Sequence, residues 1–121
     1  NPTIWPLITK VQETLPTGLL TNMYPGMLTA IKQKGILPDA RWNVIVDSSI
    51  ELLEKPDHRF YELAEQRAGV NRSEILFIDN SNRHIQSAKD FGWQTFLYES
   101  ADHEMSCYNL QKFLQNEGIL E

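Results

Sequence analysis

Apolar residues at Ile4, Leu7, Ile8, Val11 and Leu15 recur at intervals of three and four, which lays them along one face of a helix. Pro16-Thr17-Gly18 breaks that pattern. The short apolar run Gly18-Leu19-Leu20-Thr21-Asn22 then predicts a strand. A second helix follows, with Pro25 in its first turn, Met27, Leu28 and Ile31 on one face, and Gly35 as its stop. Beyond Pro38-Asp39, the β-branched run Asn43-Val44-Ile45-Val46 predicts a second strand that ends in a loop.

Pro56-Asp57 opens a third helix whose Phe60, Leu63, Ala64 and Ala68 share a face before Gly69 ends it. Ile75-Leu76-Phe77-Ile78 is wholly apolar, as befits a parallel strand covered on both sides. Asn80 or Ser81 can cap the next helix, which turns Ile85 and Ala88 inward and stops at Gly92. Thr95-Phe96-Leu97-Tyr98 makes a fourth strand, and a last helix carries Cys107, Leu110 and Leu114 on one face. Strands alternating with helices of about ten residues are the signature of βαβ units. The expected fold is α/β: a three-layer, Rossmann-like parallel sheet with helices on both faces. Residues 1–121 are expected to form a single domain.

Composition narrows the field. With 41% hydrophobic and 22% charged residues in 121, the chain has the make-up of a globular domain rather than a disordered one. Its net charge of −5 opposes nucleic acid and anionic membrane as partners. A single cysteine, Cys107, excludes an internal disulfide framework, and no Cys/His group has zinc-ligand spacing. A reducing, cytoplasmic setting fits best. No apolar run is long enough to span a membrane. The start, Asn1-Pro2-Thr3, has neither an initiator Met nor the pattern of a secretory signal, which leads to the expectation of a fragment or a processed chain.

In open α/β sheets, ligands bind beyond the carboxyl ends of the strands. The residues there are Thr21-Asn22, Asp47-Ser48-Ser49, Asp79-Asn80-Ser81 and Glu99-Ser100. Small hydroxyl and amide side chains beside helix starts suit an anion such as phosphate, although the same residue types also serve as plain helix caps. His58, His84 and His103 are scattered over helix starts and a loop and read as solvated surface residues. Asn71-Arg72-Ser73 reads as a plain turn. Trp5, Trp42 and Trp93 read as packing residues.

The order of these groups carries a resemblance. Thr21-Asn22 ends one strand, Lys55-Pro56-Asp57 opens a helix that includes Phe60-Tyr61, Gly69-Val70 follows, and Ile75-Leu76-Phe77-Ile78-Asp79 leads to Ser87-Ala88 and Phe91-Gly92. Over about residues 7 to 98 this resembles the haloacid dehalogenase-like (HAD) hydrolase superfamily, in its phosphatase-like branch with a helical cap inserted early in the chain. The resemblance implies a Mg²⁺-dependent phosphatase of small phosphate esters working through an aspartyl-phosphate. It implies that Thr21 hydrogen-bonds a phosphoryl oxygen, that Asn22 and Ser81 bind substrate, that Lys55 neutralises the phosphorylated intermediate, and that Asp79 and Asn80 serve the metal. Thr21 with Lys55 permits a dehalogenase as well, and Asp79 leans towards phosphate.

Two departures matter. Asn80 stands where the resemblance places a metal-binding carboxylate, so Mg²⁺ affinity should fall. The family's first motif, an apolar strand ending in Asp-x-Asp that supplies the nucleophile, has no match upstream of Thr21. The chain is therefore expected to be the C-terminal portion of such a core, inactive alone. Asp47 also ends an apolar strand, but Ser49 stands where a second carboxylate would be needed; a receiver-like phosphoacceptor using Asp47 is a weaker option. In HAD folds the first-motif strand lies between the strands ending at Thr21 and Asp79. Its absence would cost on the order of five hydrogen bonds at about 0.5–1.5 kcal/mol each. Either the strands close up, or a homodimer or a partner segment fills the gap. A non-catalytic relative kept for binding or assembly is the alternative.

Overall fold

A computed structural model describes residues 4–23, 26–34 and 42–120 of the chain. Pro25, Gly35, Pro38-Asp39 and Asn1-Pro2-Thr3, singled out above, lie outside the described residues. Helix α1 spans Trp5–Gln12, strand β1 Gly18–Thr21 and helix α2 Met27–Gln33. Strand β2 (Val44–Asp47) runs directly into the one-turn helix α3 (Ser48–Glu51), and α4 covers His58–Ala68. Strand β3 (Leu76–Asp79), helix α5 (Asn82–Phe91), strand β4 (Gln94–Leu97) and helix α6 (His103–Asn116) complete the order.

Side-chain alternation explains the layering. In β3, Leu76 joins the cluster of Leu7, Tyr98, Leu110 and Leu114 contributed largely by α1 and α6. Its neighbour Phe77 faces the other way, into the cluster of Tyr61, Ile85, Ala88 and Trp93 from α4, α5 and the turn before β4. Phe96 and Leu97 divide in the same manner on β4. Consecutive strand residues point to opposite faces, so an apolar strand needs cover on both. Helices supply it, and the three-layer arrangement of parallel strands follows.

The sheet itself is interrupted. β1 pairs in parallel with β2, Gly18 opposite Val44 through Thr21 opposite Asp47, and β3 pairs in parallel with β4, Leu76 opposite Gln94 through Asp79 opposite Leu97. Among the described residues these are two separate two-stranded sheets. The strands do not close up across the break. β1 and β3 are nevertheless neighbours, because Leu20 of β1 packs on the cluster that contains Phe77 of β3.

The loop expected after the second strand is instead a turn of helix. The Asp47 carboxylate accepts from the Ser49 N–H at 2.9 Å and from the Ser49 hydroxyl at 2.7 Å, satisfying an amide that a helix start leaves unpaired. Asn71, Arg72 and Ser73 do form a plain turn, which runs as a short 3₁₀ segment over Arg72–Glu74.

Candidate active site

Lys55 is placed from two directions. Its N–H donates to Asn22 Oδ1 at 2.9 Å and its carbonyl accepts from Asn22 Nδ2 at 3.0 Å. The next carbonyl, that of Pro56, accepts from Ser87 Oγ of α5 at 2.7 Å. The segment that opens α4 is thus fastened to the end of β1 and to the helix that follows β3.

So held, Lys55 directs its ammonium to the end of β3. Nζ lies 2.7 Å from Asp79 Oδ2, with the two side chains 11% and 7% exposed. His84 Nδ1 lies 3.3 Å from the same oxygen. The other oxygen, Oδ1, accepts from the Ser81 N–H at 2.9 Å. Burial pushes the Asp79 carboxyl up, but the hydrogen bond and charge of Lys55, with help from Ser81 and His84, bring it below its ordinary value. Asp79 is therefore a carboxylate at neutral pH, and Lys55 its counter-ion.

The remaining expected site residues divide around this pair. Thr21 ends β1 in register with Asp47. The Asn22 amide is occupied in fastening Lys55. Ser81 caps α5, its hydroxyl accepting from the His84 N–H at 3.3 Å. Asn80 turns aside, and its Nδ2 donates to Ser100 Oγ beyond β4 at 2.7 Å. Asp47 is buried and caps α3. His58 is exposed as expected, but His84 is not a solvated bystander: it is half-buried against Asp79. The signal for it was its place in the first turn after a cap, where a side chain can reach back to the preceding strand end. Tyr61 braces it, the hydroxyl donating to the His84 carbonyl at 3.0 Å; burial and the nearby Asp79 charge leave the Tyr61 hydroxyl pushed up to about 12, although Ser87 acts the other way.

The donor set for a magnesium ion is thin. Mg²⁺ demands near-octahedral oxygen coordination and favours carboxylates that are free to bind it. Asp79 gives both oxygens to protein donors, Asn80 faces Ser100, and no group of three His, Cys, Asp or Glu among the described residues could hold a metal. The residues present do not fit the ion.

Parallel strands covered on both faces by helices, with a lysine–aspartate pair where their carboxyl ends meet, define a Rossmann-like α/β protein with a polar site at the strand ends. The family model for haloacid dehalogenase-like hydrolases matches residues 2–92, and the chain belongs to that family. It is 33% identical over 81 residues to the (S)-2-haloacid dehalogenase of Pseudomonas sp. (strain YL), an alignment that covers 67% of this chain and 34% of the dehalogenase. The chain thus spans about a third of that relative's length. In fold it is similar to an uncharacterized protein from Corynebacterium glutamicum, with a TM-score of 0.68 at 18% identity over 95% of this chain and 79% of the other. It is also similar to the HAD family enzyme bt-2542 from Bacteroides thetaiotaomicron, with a TM-score of 0.65 at 21% identity over 80% of this chain and 52% of that one, in the structure of an aspartate-to-alanine mutant in complex with magnesium and inorganic phosphate. No helix among the described residues is long and apolar enough to cross a membrane.

Proposed function

We propose that this chain supplies the anion-handling half of a hydrolase site for small phosphate esters, and that the aspartyl nucleophile comes from a strand not present in these 121 residues. The observation that carries the reading is the Lys55 ammonium, fixed by Asn22 at the junction of the two sheets and 2.7 Å from Asp79. An ammonium has three donors. Asp79 takes one, which leaves two for phosphoryl oxygens. Thr21 and the amino end of α5 lie at the same strand ends, where hydroxyl and amide donors favour an anion.

The nucleophile has no candidate among the strand ends described. β1 ends in Thr21 and β4 in Leu97, while Asp47 is bound to Ser49 and Asp79 to Lys55. A carboxylate attacking phosphorus would form an acyl phosphate as the ester P–O bond breaks and the alcohol departs; water then cleaves the acyl phosphate. Lys55 would offset the negative charge that builds on the phosphoryl oxygens in both steps. A strand entering between β1 and β3 would deliver that carboxylate beside Lys55 and pair both open edges, whether it comes from a longer form of the polypeptide, a second copy or a partner.

A second reading is supported by the (S)-2-haloacid dehalogenase at 33% identity. There the same nucleophile would displace halide from carbon and Lys55 would meet the substrate carboxylate. Turnover separates the readings. Phosphate release from p-nitrophenyl phosphate and chloride release from 2-chloropropionate are measured with the protein alone and with an added apolar peptide ending in Asp-x-Asp. Release of phosphate only with the peptide, lost in Lys55→Ala, is expected. Phosphate release by the protein alone would mean the nucleophile lies within it, and chloride release in place of phosphate would establish the second reading.

A further inference from the structure

A carboxylate where Asp79 stands can serve as a cation ligand or as the partner of Lys55, and its neighbours decide between the two. Oδ2 receives Lys55 Nζ at 2.7 Å and His84 Nδ1 at 3.3 Å, and Oδ1 receives the Ser81 N–H at 2.9 Å. We propose that Asp79 is closed to divalent cations in this protein, its oxygens held by Lys55, His84 and the Ser81 N–H, and that the Lys55 ammonium supplies the positive charge an incoming anion meets.

Three features support this. A cation ligating Oδ2 would have to displace an ammonium held at both ends, since Asn22 fixes the Lys55 backbone by two hydrogen bonds. A displaced ammonium in so enclosed a site would stand close to the incoming ion, and like charges there repel strongly. The His84 backbone is fixed beside the site as well, its N–H bound to Ser81 Oγ and its carbonyl to the Tyr61 hydroxyl, which keeps the imidazole within reach of Asp79. Finally, the neighbouring Asn80 is a neutral amide whose Nδ2 donates to Ser100 Oγ, so the second carboxylate that would strengthen a cation site is replaced by an uncharged group.

This deepens the phosphate-ester reading by naming the charge that meets the anion, and the test of it contains no substrate, so the two can fail separately. Manganese(II), a paramagnetic stand-in for Mg²⁺, is titrated into the protein while amide signals are followed by NMR. No saturable broadening at Asp79, Asn80 or Ser81 is expected in the millimolar range. In Lys55→Met, which removes the competing ammonium, saturable broadening at Asp79 should appear and should vanish again in the double variant Lys55→Met/Asp79→Asn. Saturable broadening of these amides in the unaltered protein, abolished by Asp79→Asn, would overturn the proposal. So would the absence of broadening in a folded Lys55→Met, since Lys55 would then not be what excludes the cation.

Discussion

Asp79 is the residue on which the site turns. Its folded carboxyl sits below its ordinary value although burial alone would raise it, so its ionised form is stabilised by folding. That contribution is complete above the unfolded value of about 3.9 and is lost as pH falls through the lower folded one. Replacing Lys55 with Ala leaves a buried carboxylate without its counter-ion and should cost about 2–3 kcal/mol at pH 7. Below about pH 4 the gap between the two proteins should narrow, because protonation relieves the variant's uncompensated charge. Urea unfolding at pH 7 and pH 3 measures both quantities; an equal gap at the two pH values would show that Asp79 is not the group involved. At this scale Thr21, Lys55 and Asp79 were singled out by the family resemblance that their order carries. It did not disclose that Asn22 holds the Lys55 backbone, a contact between residues 33 apart, nor that His84 reaches Asp79, because both depend on how helices sit over strand ends.

Elements were more legible than contacts, since local chemistry sets them. The apolar periods of α1, α4 and α5 and the apolar runs of β2, β3 and β4 all mark elements that form, with strand edges shifted by a residue and helix edges by up to three. Helix α3 escaped notice because Asp47-Ser48-Ser49 is equally good loop chemistry, and only the turn of Asp47 back onto Ser49 distinguishes the two. Caps are where single substitutions should tell. Ser81→Ala removes the acceptor for the His84 N–H and should destabilise by about 1 kcal/mol, read from the urea midpoint. The fault would also loosen His84 against Asp79. Gly92 ends α5 at φ 113°, and a Cβ there would fall 2.7 Å from Arg72 Cδ. Gly92→Ala should therefore cost more than about 1 kcal/mol in the same measurement, and a neutral outcome would mean that the chain leaves the helix by another path.

The whole molecule is organised around an interruption. Among the described residues two parallel pairs, β1–β2 and β3–β4, stand side by side without a ladder between them. Ile78 of the apolar strand β3 remains 38% exposed, which fits a layer with a missing neighbour. Outward-facing amides on β1 and β3 lack ladder partners, so they should exchange with deuterium far faster than those inside α5. A strand bound between them should slow that exchange selectively; uniform protection without any added strand would mean the edges are already covered. The break between the two strand pairs among the described residues is where the family resemblance led one to expect a further strand, whereas the way Lys55 keeps the two halves in touch was not legible. Under the proposed function, the site joining those halves binds phosphate through Lys55. Titrating inorganic phosphate while following amide NMR signals tests it most directly. Saturable shifts at Asn22, Lys55 and Ser81, weakened about tenfold or more in Lys55→Ala, are predicted. Shifts that survive that substitution unchanged, or no shifts at these residues, would contradict the account.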